Sequence, residues 1–521
     1  MNGAQALLRT LVDAGVDVCF ANPGTSEMHF VAALDDVPEM RGVLALFEGV
    51  ATGAADGYHR MAGRPAATLL HLGPGLGNGL ANLHNARKGH TAIVNIVGDH
   101  ATYHKQYDAP LESDIEAIAG SLQGWIRRSG SAAEVGADAA AAVAAAQAHP
   151  GRVATLILPA DVSWADGGVP AGPIPPPVAP AVAGTTVKGI ADLLRSGEPA
   201  ALLAGGPAGR EAGLRALSRI AAATGAKPLI ETFPARLERG AGLPTIDRLA
   251  YLAEQAVQQL HGVAHVILAG AKPPVSFFAY PDRPSVLTPD GAAVHTLAEL
   301  DHDVVAALEA LADEVAPETG PELAPARRPP LPSGPLTALN WVDVIGALLP
   351  EGAIIADEAN TSGWLLPAAT AGAPRHDLLT LTGGAIGQCL PVATGAALAA
   401  PDRPVIALES DGSALYTISA LWTQAREQLD VTTVLLNNRA YAILRMELQR
   451  VGAQSSGPKA DALLDLSHPD LDFVKIAEGM GVPATHATTG EELADQFRRA
   501  LAEPGPHLID AAVPPWSVTA T

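Results

Sequence analysis

The 521-residue chain is expected to fold as an α/β protein of three doubly wound, parallel-sheet domains. Three observations predict this. Apolar runs of strand length alternate with segments at helical spacing along most of the chain. Two proline-rich stretches, 169–180 and 316–335, can be neither helix nor central strand and read as linkers. The length suits about three domains at roughly 150 residues each. The expected domains are 1–165, 186–312 and 338–521.

In the first region Ala4–Ala14 reads as helix and Val16–Ala21 as a short buried strand. Asn22-Pro23-Gly24-Thr25-Ser26-Glu27 is a turn that opens a helix. Leu44–Phe47 is a strand ending at Glu48, and Gly49–Met61 is a helix of small residues. Ala66–His71 reads as strand, Gly73–Gly79 as a glycine-rich loop, Leu80–Arg87 as helix, and Ala92–Val97 as a strand ending at Gly98-Asp99. The middle region carries strands at Ala200–Leu203, Pro228–Ile230 and Val266–Leu268. In the last region, Val405–Leu408 and Val431–Leu436 are buried strands around a helix with Leu415, Ile418, Leu421 and Trp422 at helical spacing. The blocks Arg64–Asp99 and Arg403–Asn438 are equal in length and share the order strand, loop, helix, strand, each after a small-residue helix. Any two βαβ units look broadly alike, but equal length also suits a duplicated domain.

Composition narrows the function. Hydrophobic residues make up 48% and charged residues 17%, enough for a large core. The net charge of −22, without a Lys/Arg run, argues against nucleic acid or an anionic membrane as partner. No apolar run reaches the roughly 18 residues a membrane span needs. Two cysteines, Cys19 and Cys389, suit a reducing compartment, and the N-terminus lacks a signal-peptide pattern. A soluble cytoplasmic protein is expected. His100 and His104 have no evident third ligand and read as a solvated loop.

The chemistry concentrates at two strand ends. Parallel strands of a βαβ unit end on one sheet edge, where ligands bind. Asp411 and Asn438 therefore meet there, although distant in the chain. Gly412 permits close backbone approach, and the following helix start offers N–H groups to a phosphate. A carboxylate and an amide oxygen are ligands of the type Mg²⁺ takes beside phosphate oxygens. The alternative is a capped strand–turn–helix followed by an Asn-Asn turn. In the first region, Glu48 ends an apolar strand, where its carboxylate would be poorly hydrated.

Ser410-Asp411-Gly412-Ser413, a helix, and Asn437-Asn438 resemble the signature of thiamine-diphosphate (ThDP) enzymes, with Ser410 where that family usually has glycine. The resemblance implies that Asp411, the Asn438 side chain and the Ala440 carbonyl hold Mg²⁺ against the diphosphate and that Ser413 touches the phosphates. Phe47-Glu48-Gly49-Val50-Ala51-Thr52-Gly53 is similar to the family's catalytic-glutamate segment. Glu48 would then hydrogen-bond the aminopyrimidine and promote formation of a C2 ylide. That ylide attacks a 2-oxo acid, and loss of CO₂ leaves an enamine. Gly383–Pro391 resembles the segment whose bulky residue wedges between the cofactor rings; Ile386 stands at that position, beside Gly384. Asn360, Tyr416 and Tyr441 match positions near the diphosphate and metal. The implied domains are pyrimidine-binding, central and diphosphate-binding, with the cofactor held between chains of a homodimer or homotetramer.

Within the family the chain most resembles acetolactate synthase-like large subunits of the actinobacterial type, and next benzoylformate decarboxylase. Asn22-Pro23-Gly24-Thr25 and Leu70–Gly75 are similar to decarboxylase segments whose hydroxyl and histidine reach the substrate; Thr25 and His71 match them. The decarboxylase's second histidine has no counterpart in Pro274–Tyr280, where Phe277, Phe278 and Tyr280 suggest an aromatic-tolerant pocket. Acetolactate synthases bind FAD in the central domain, carry Gly-Gly for Gly24-Thr25 and have Gln for Asp99; FAD is therefore doubtful here. Three activities stay open: decarboxylation or carboligation of a 2-oxo acid in acetolactate synthase fashion, aryl 2-oxo acid decarboxylation, or a silent ThDP-binding partner subunit.

Overall fold

The computed structural model describes residues 1–453 and 457–515. Positions 516–521 of the expected last domain lie outside the described residues. Strands β1 (Val18–Asn22), β2 (Arg41–Leu44), β3 (Ala66–Leu70), β4 (Ile93–Asp99), β5 (Trp125–Arg128) and β6 (Val153–Pro159) form the first sheet. The central sheet holds β7 (Ala200–Ala204) and β8 (Lys227–Ile230), with β10 (His265–Ala269) and β11 (Ala293–Ala298) after the short strand β9 (Leu237–Arg239). The third holds β12 (Ala353–Glu358), β13 (His376–Thr380), β14 (Val405–Ser410), β15 (Val431–Asn437), β16 (Ala484–Ala487) and β17 (His507–Ala512). The fold is α/β with three parallel-sheet domains, as the alternating pattern predicts.

The outer sheets share one topology. The first runs β2-β1-β3-β4-β6-β5, and the third, read from its β13 end, runs β13-β12-β14-β15-β17-β16. Counting strands from the start of each region, these orders are identical. Equal block length in the sequence thus extends to equal strand order. The one addition is β9, which leaves the central region and pairs antiparallel with β13, Leu237 opposite Leu378.

Four local expectations change. The stretch Gly73–Gly79 is not a loop: the helix Leu72–Lys88 begins directly after β3. Pro74 sits in its first turn, where no N–H partner is lost. The strand expected at Leu44–Phe47 pairs over Arg41–Leu44, and Phe47 continues extended into the helix Glu48–Ala62. Asp411 opens its helix rather than preceding it in a turn. That helix ends at Thr417, and a second runs Ala420–Arg426.

The first and third regions are joined through helices Glu48–Ala62 and Cys389–Ala399. Their backbones nearly touch: a Cβ on Gly395 would lie 1.8 Å from the Ala54 carbonyl oxygen, and one on Gly57 2.1 Å from that of Val392. One apolar core runs from Phe20 and Val43 of the first sheet to Ile354 and Val405 of the third. The join also buries an ion pair, Arg60–Asp56 at 2.7 Å, and Asp56 accepts from Thr91 and Gln388. Among the described residues no helix is long and apolar enough to cross a membrane.

Candidate active site

At the carboxyl edge of the first sheet, β1 ends at Asn22 and delivers Pro23, Gly24 and an exposed Thr25 into a single 3₁₀ turn, Thr25–Glu27. β3 delivers His71 to the same edge. Leu72 follows at φ 50, a left-handed conformation that is uncommon for a branched residue and turns the chain abruptly into the next helix. Gly24 lies against the His71 ring, since a Cβ there would be 2.3 Å from Nδ1. Gly75 faces both Glu48 and His71: its Cβ would meet Glu48 Oε1 at 3.1 Å and His71 Cβ at 3.4 Å. Glu48, His71 and the Gly24 turn therefore share one small space. Glu48 is 7% exposed, and Asn78 donates to its Oε2 at 3.0 Å.

Glu27 belongs to this group, a role the sequence reading did not give it. Its carboxylate is fully buried. Oε2 accepts the Gly24 N–H at 2.7 Å and faces His71 Nδ1 at 2.8 Å, while Oε1 has no hydrogen-bond partner among the described residues. Burial pushes the Glu27 carboxyl upward, and the neighbouring His71 partly offsets this. A carboxylate on Nδ1 fixes that nitrogen as the donor and leaves Nε2 free to exchange a proton. Glu27 was missed because its partner lies far along the chain and only the fold brings them together.

At the carboxyl edge of the third sheet, β14 ends at Ser410 and β15 at Asn437. Asp411 Oδ1 accepts the Gly412 N–H at 2.9 Å and Oδ2 the Arg439 N–H at 2.6 Å. Arg439 sits at φ 60, which aims that N–H at the carboxylate. Asn438 Oδ1 accepts the Ala440 N–H at 2.9 Å. Asp411, Asn438 and Ala440 are all buried. Burial lifts the Asp411 carboxyl to about 6, with only backbone N–H groups opposing it. A desolvated carboxylate, an amide oxygen and a main-chain turn suit a divalent ion. Among the described residues no group of three His, Cys, Asp or Glu could hold a metal, the pair His100 and His104 included. Asp411, the Asn438 amide oxygen and the Ala440 carbonyl could offer a carboxylate–amide–carbonyl donor set of the kind Mg²⁺ takes.

Ser410 fits without strain, in extended backbone at φ −93, ψ 150. Its Oγ donates to the Glu358 carbonyl at 2.9 Å and accepts from Asn360 Nδ2 at 3.3 Å. Asn360 is exposed, at φ 47. The Ser413 hydroxyl donates to Glu409. Its N–H lies in the first turn of the helix. Gly412 packs under the Tyr441 ring, where a Cβ would come within 2.4 Å, and Tyr416 is half exposed beside Gly387.

The backbone on either side of Ile386 is held by side chains of both the first and the third region. Asn85 takes both polar atoms of Ala385, donating to its carbonyl at 2.7 Å and accepting its N–H at 3.1 Å. Asn82 Nδ2 donates to the Gly49 carbonyl at 2.8 Å and to the Gly387 carbonyl at 3.2 Å. The residue after Glu48 and the residue after Ile386 thus share one amide. Glu358 accepts the N–H groups of Gly387, Gln388 and Cys389, each at 2.8 Å. Gly384, at φ 76, lies under Phe277, whose Cζ would be 2.6 Å from a Cβ there. Phe277 belongs to a ring cluster with Phe233, Tyr251 and Phe278, at centroid separations of 5.8, 5.2 and 4.9 Å.

Two family models match the outer regions of the chain. The thiamine pyrophosphate enzyme N-terminal TPP-binding domain matches residues 1–126, and the C-terminal TPP-binding domain matches 357–511. This chain belongs to the thiamine pyrophosphate enzymes. It is 67% identical to a Mycobacterium tuberculosis protein named "Putative acetolactate synthase large subunit IlvX", covering 99% of both chains. It is 32% identical to benzoylformate decarboxylase of Pseudomonas aeruginosa, over 95% of this chain and 96% of that one. Among solved structures, the thiamine diphosphate-dependent 4-hydroxybenzoylformate decarboxylase of Rhodococcus jostii superposes with a TM-score of 0.85 at 25% identity, covering 99% of each chain.

Proposed function

We propose that the protein is a Mg²⁺- and ThDP-dependent enzyme acting on 2-oxo acids, by decarboxylation, carboligation or both. The observation that carries this reading is the pairing of two prepared strand edges. One presents Glu48 beside His71, and the other presents Asp411 against Asn438 and Ala440. Bound ThDP would supply the carbon nucleophile that adds to the substrate carbonyl and the electron sink for CO₂ loss. Glu48, oriented by the Asn78 amide, would hydrogen-bond N1′ of the aminopyrimidine. Asn22, Pro23 and Gly24 would line that ring, and Ile386 would fill the gap between the cofactor's two rings. Asp411, Asn438 and the Ala440 carbonyl would hold Mg²⁺; Gly412, the Ser413 N–H, Asn360, Tyr416 and Tyr441 would surround the diphosphate. Thr25 and His71 would meet the substrate, His71 exchanging a proton through Nε2. On this reading the regions 1–165, 186–312 and 338–521 are the pyrimidine-binding, central and diphosphate-binding domains. The enzyme works in the cytoplasm as a homodimer or homotetramer, with the cofactor shared between chains.

A second reading, an aryl 2-oxo acid as substrate, is favoured by Phe233, Phe277 and Phe278 gathered beside Gly384. CO₂ release from aliphatic and aryl 2-oxo acids, with ThDP and Mg²⁺ added, separates the readings. Preference for pyruvate over benzoylformate would sink the aryl one. Silence across the panel, with cofactor bound by calorimetry, would leave a ThDP-binding partner subunit. Asp411→Asn should weaken Mg²⁺ and ThDP binding together by more than tenfold, about 1.4 kcal/mol; unchanged affinity would refute the metal role.

A further inference from the structure

The relatives named acetolactate synthase raise the question of FAD, and the central sheet answers it. Its strands run in parallel in the order β11-β10-β7-β8. β7 ends at Ala204 and passes through Gly205-Gly206-Pro207-Ala208-Gly209 into the helix Glu211–Thr224. A strand, a glycine turn and a helix start are the ordinary cradle for a dinucleotide's diphosphate, which takes its hydrogen bonds from the turn and from the first helical N–H groups.

Here the chain's own carboxylates occupy those donors. The Gly206 N–H donates to Glu231 Oε1 at 2.8 Å, and Glu231 directly follows β8. The Glu211 N–H, at the start of the helix, donates to Glu238 Oε2 at 2.7 Å. The turn is also closed sterically. A Cβ on Gly205 would lie 2.5 Å from the Gly270 carbonyl oxygen and 2.9 Å from Glu231 Oε1. Burial lifts the Glu231 carboxyl to about 7, as expected of an acid held in a dry crevice without a cation. Glu238 is held in turn by Arg236, which also binds Asp377 of β13. The residues present do not fit a diphosphate.

We infer that Glu231 and Glu238 lock the phosphate turn of the central sheet, so that this protein carries neither FAD nor another dinucleotide there. A diphosphate would have to expel both carboxylates and share the crevice with their charge.

The test uses the full-length protein loaded with ThDP and Mg²⁺. Flavin released on denaturation is measured by fluorescence, and FAD and ADP are titrated by calorimetry. A ThDP titration of the same preparation reports separately on the site of the proposed activity. The wild type should hold no stoichiometric flavin and give no saturable heat with FAD or ADP. The double variant Glu231→Ala, Glu238→Ala should bind ThDP as before and gain saturable ADP binding. Stoichiometric flavin in the wild type, or saturable FAD or ADP binding by it, would overturn the inference. A double variant that takes up ThDP yet stays as inert to ADP as the wild type would remove the two carboxylates as the lock.

Discussion

Replacing Glu27 by alanine should slow the enzyme more than it weakens cofactor binding. The Glu27 carboxylate is fully buried, and one oxygen serves two donors, the Gly24 N–H at 2.7 Å and His71 Nδ1 at 2.8 Å. A hydrogen bond to a charged group is worth about 1.5–3 kcal/mol. If the His71 orientation matters only in the transition state, losing its partner lowers kcat/KM by about 10- to 150-fold. Glu27→Gln separates geometry from charge. An amide oxygen in the place of Oε2 can still accept from both donors, so this variant should recover most of the loss that comes from orientation. The assay is kcat/KM for the best substrate of the 2-oxo acid panel across pH, beside ThDP affinity by calorimetry. Wild-type kcat/KM in Glu27→Ala, with ThDP binding intact, would refute both the positioning role of Glu27 and the use of His71 in the reaction.

Three further outcomes are expected. Glu48→Gln should keep ThDP affinity by calorimetry while turnover falls by at least about 10²-fold, the lower scale of general acid–base catalysis. Gly395→Ala should cost about 1–3 kcal/mol by overpacking, seen as a lower thermal midpoint, because its Cβ would meet the Ala54 carbonyl at 1.8 Å. Glu231 predicts a pH effect. Its carboxyl rises from 4.5 to about 7 on folding, so the folded state holds an extra proton between those values. Its contribution then turns unfavourable as pH rises through that window, to about 3 kcal/mol above it. Glu231→Gln should remove this slope and stabilise the protein at pH 8 relative to wild type in denaturant titrations.

Much of the fold was legible because buried parallel strands read as short apolar runs, as in Val431–Leu436 and Ala92–Val97. The candidate metal site was legible for the same reason: two strand ends on one edge bring Asp411 and Asn438 together. The helix Leu72–Lys88 was obscured by its own glycines. Those residues are small for contact rather than for turning: a Cβ on Gly79 would press on Thr52 at 2.8 Å, and one on Gly73 on Ser113 at 1.8 Å. Glycine that serves packing looks, in sequence, like glycine that serves a loop. Three residues are too few for β9 to show a period. Glu27, Asn82 and Asn85 were hidden because each acts on a segment remote in the chain, and no local pattern marks such a partner.

The borrowed strand β9 has a consequence for the way the molecule can be taken apart. Leu237–Arg239 is hydrogen-bonded into a sheet whose other strands are made more than a hundred residues later, and it covers the edge that β13 would otherwise leave open to foreign strands. A protease cut in the proline-rich stretch 316–335 would therefore release no free carboxyl-terminal fragment, because the earlier piece stays threaded into it. Equally, a recombinant piece beginning at Thr337 would expose a raw sheet margin and tend to self-associate. Fragments or chimaeras of this protein should start upstream of Leu237.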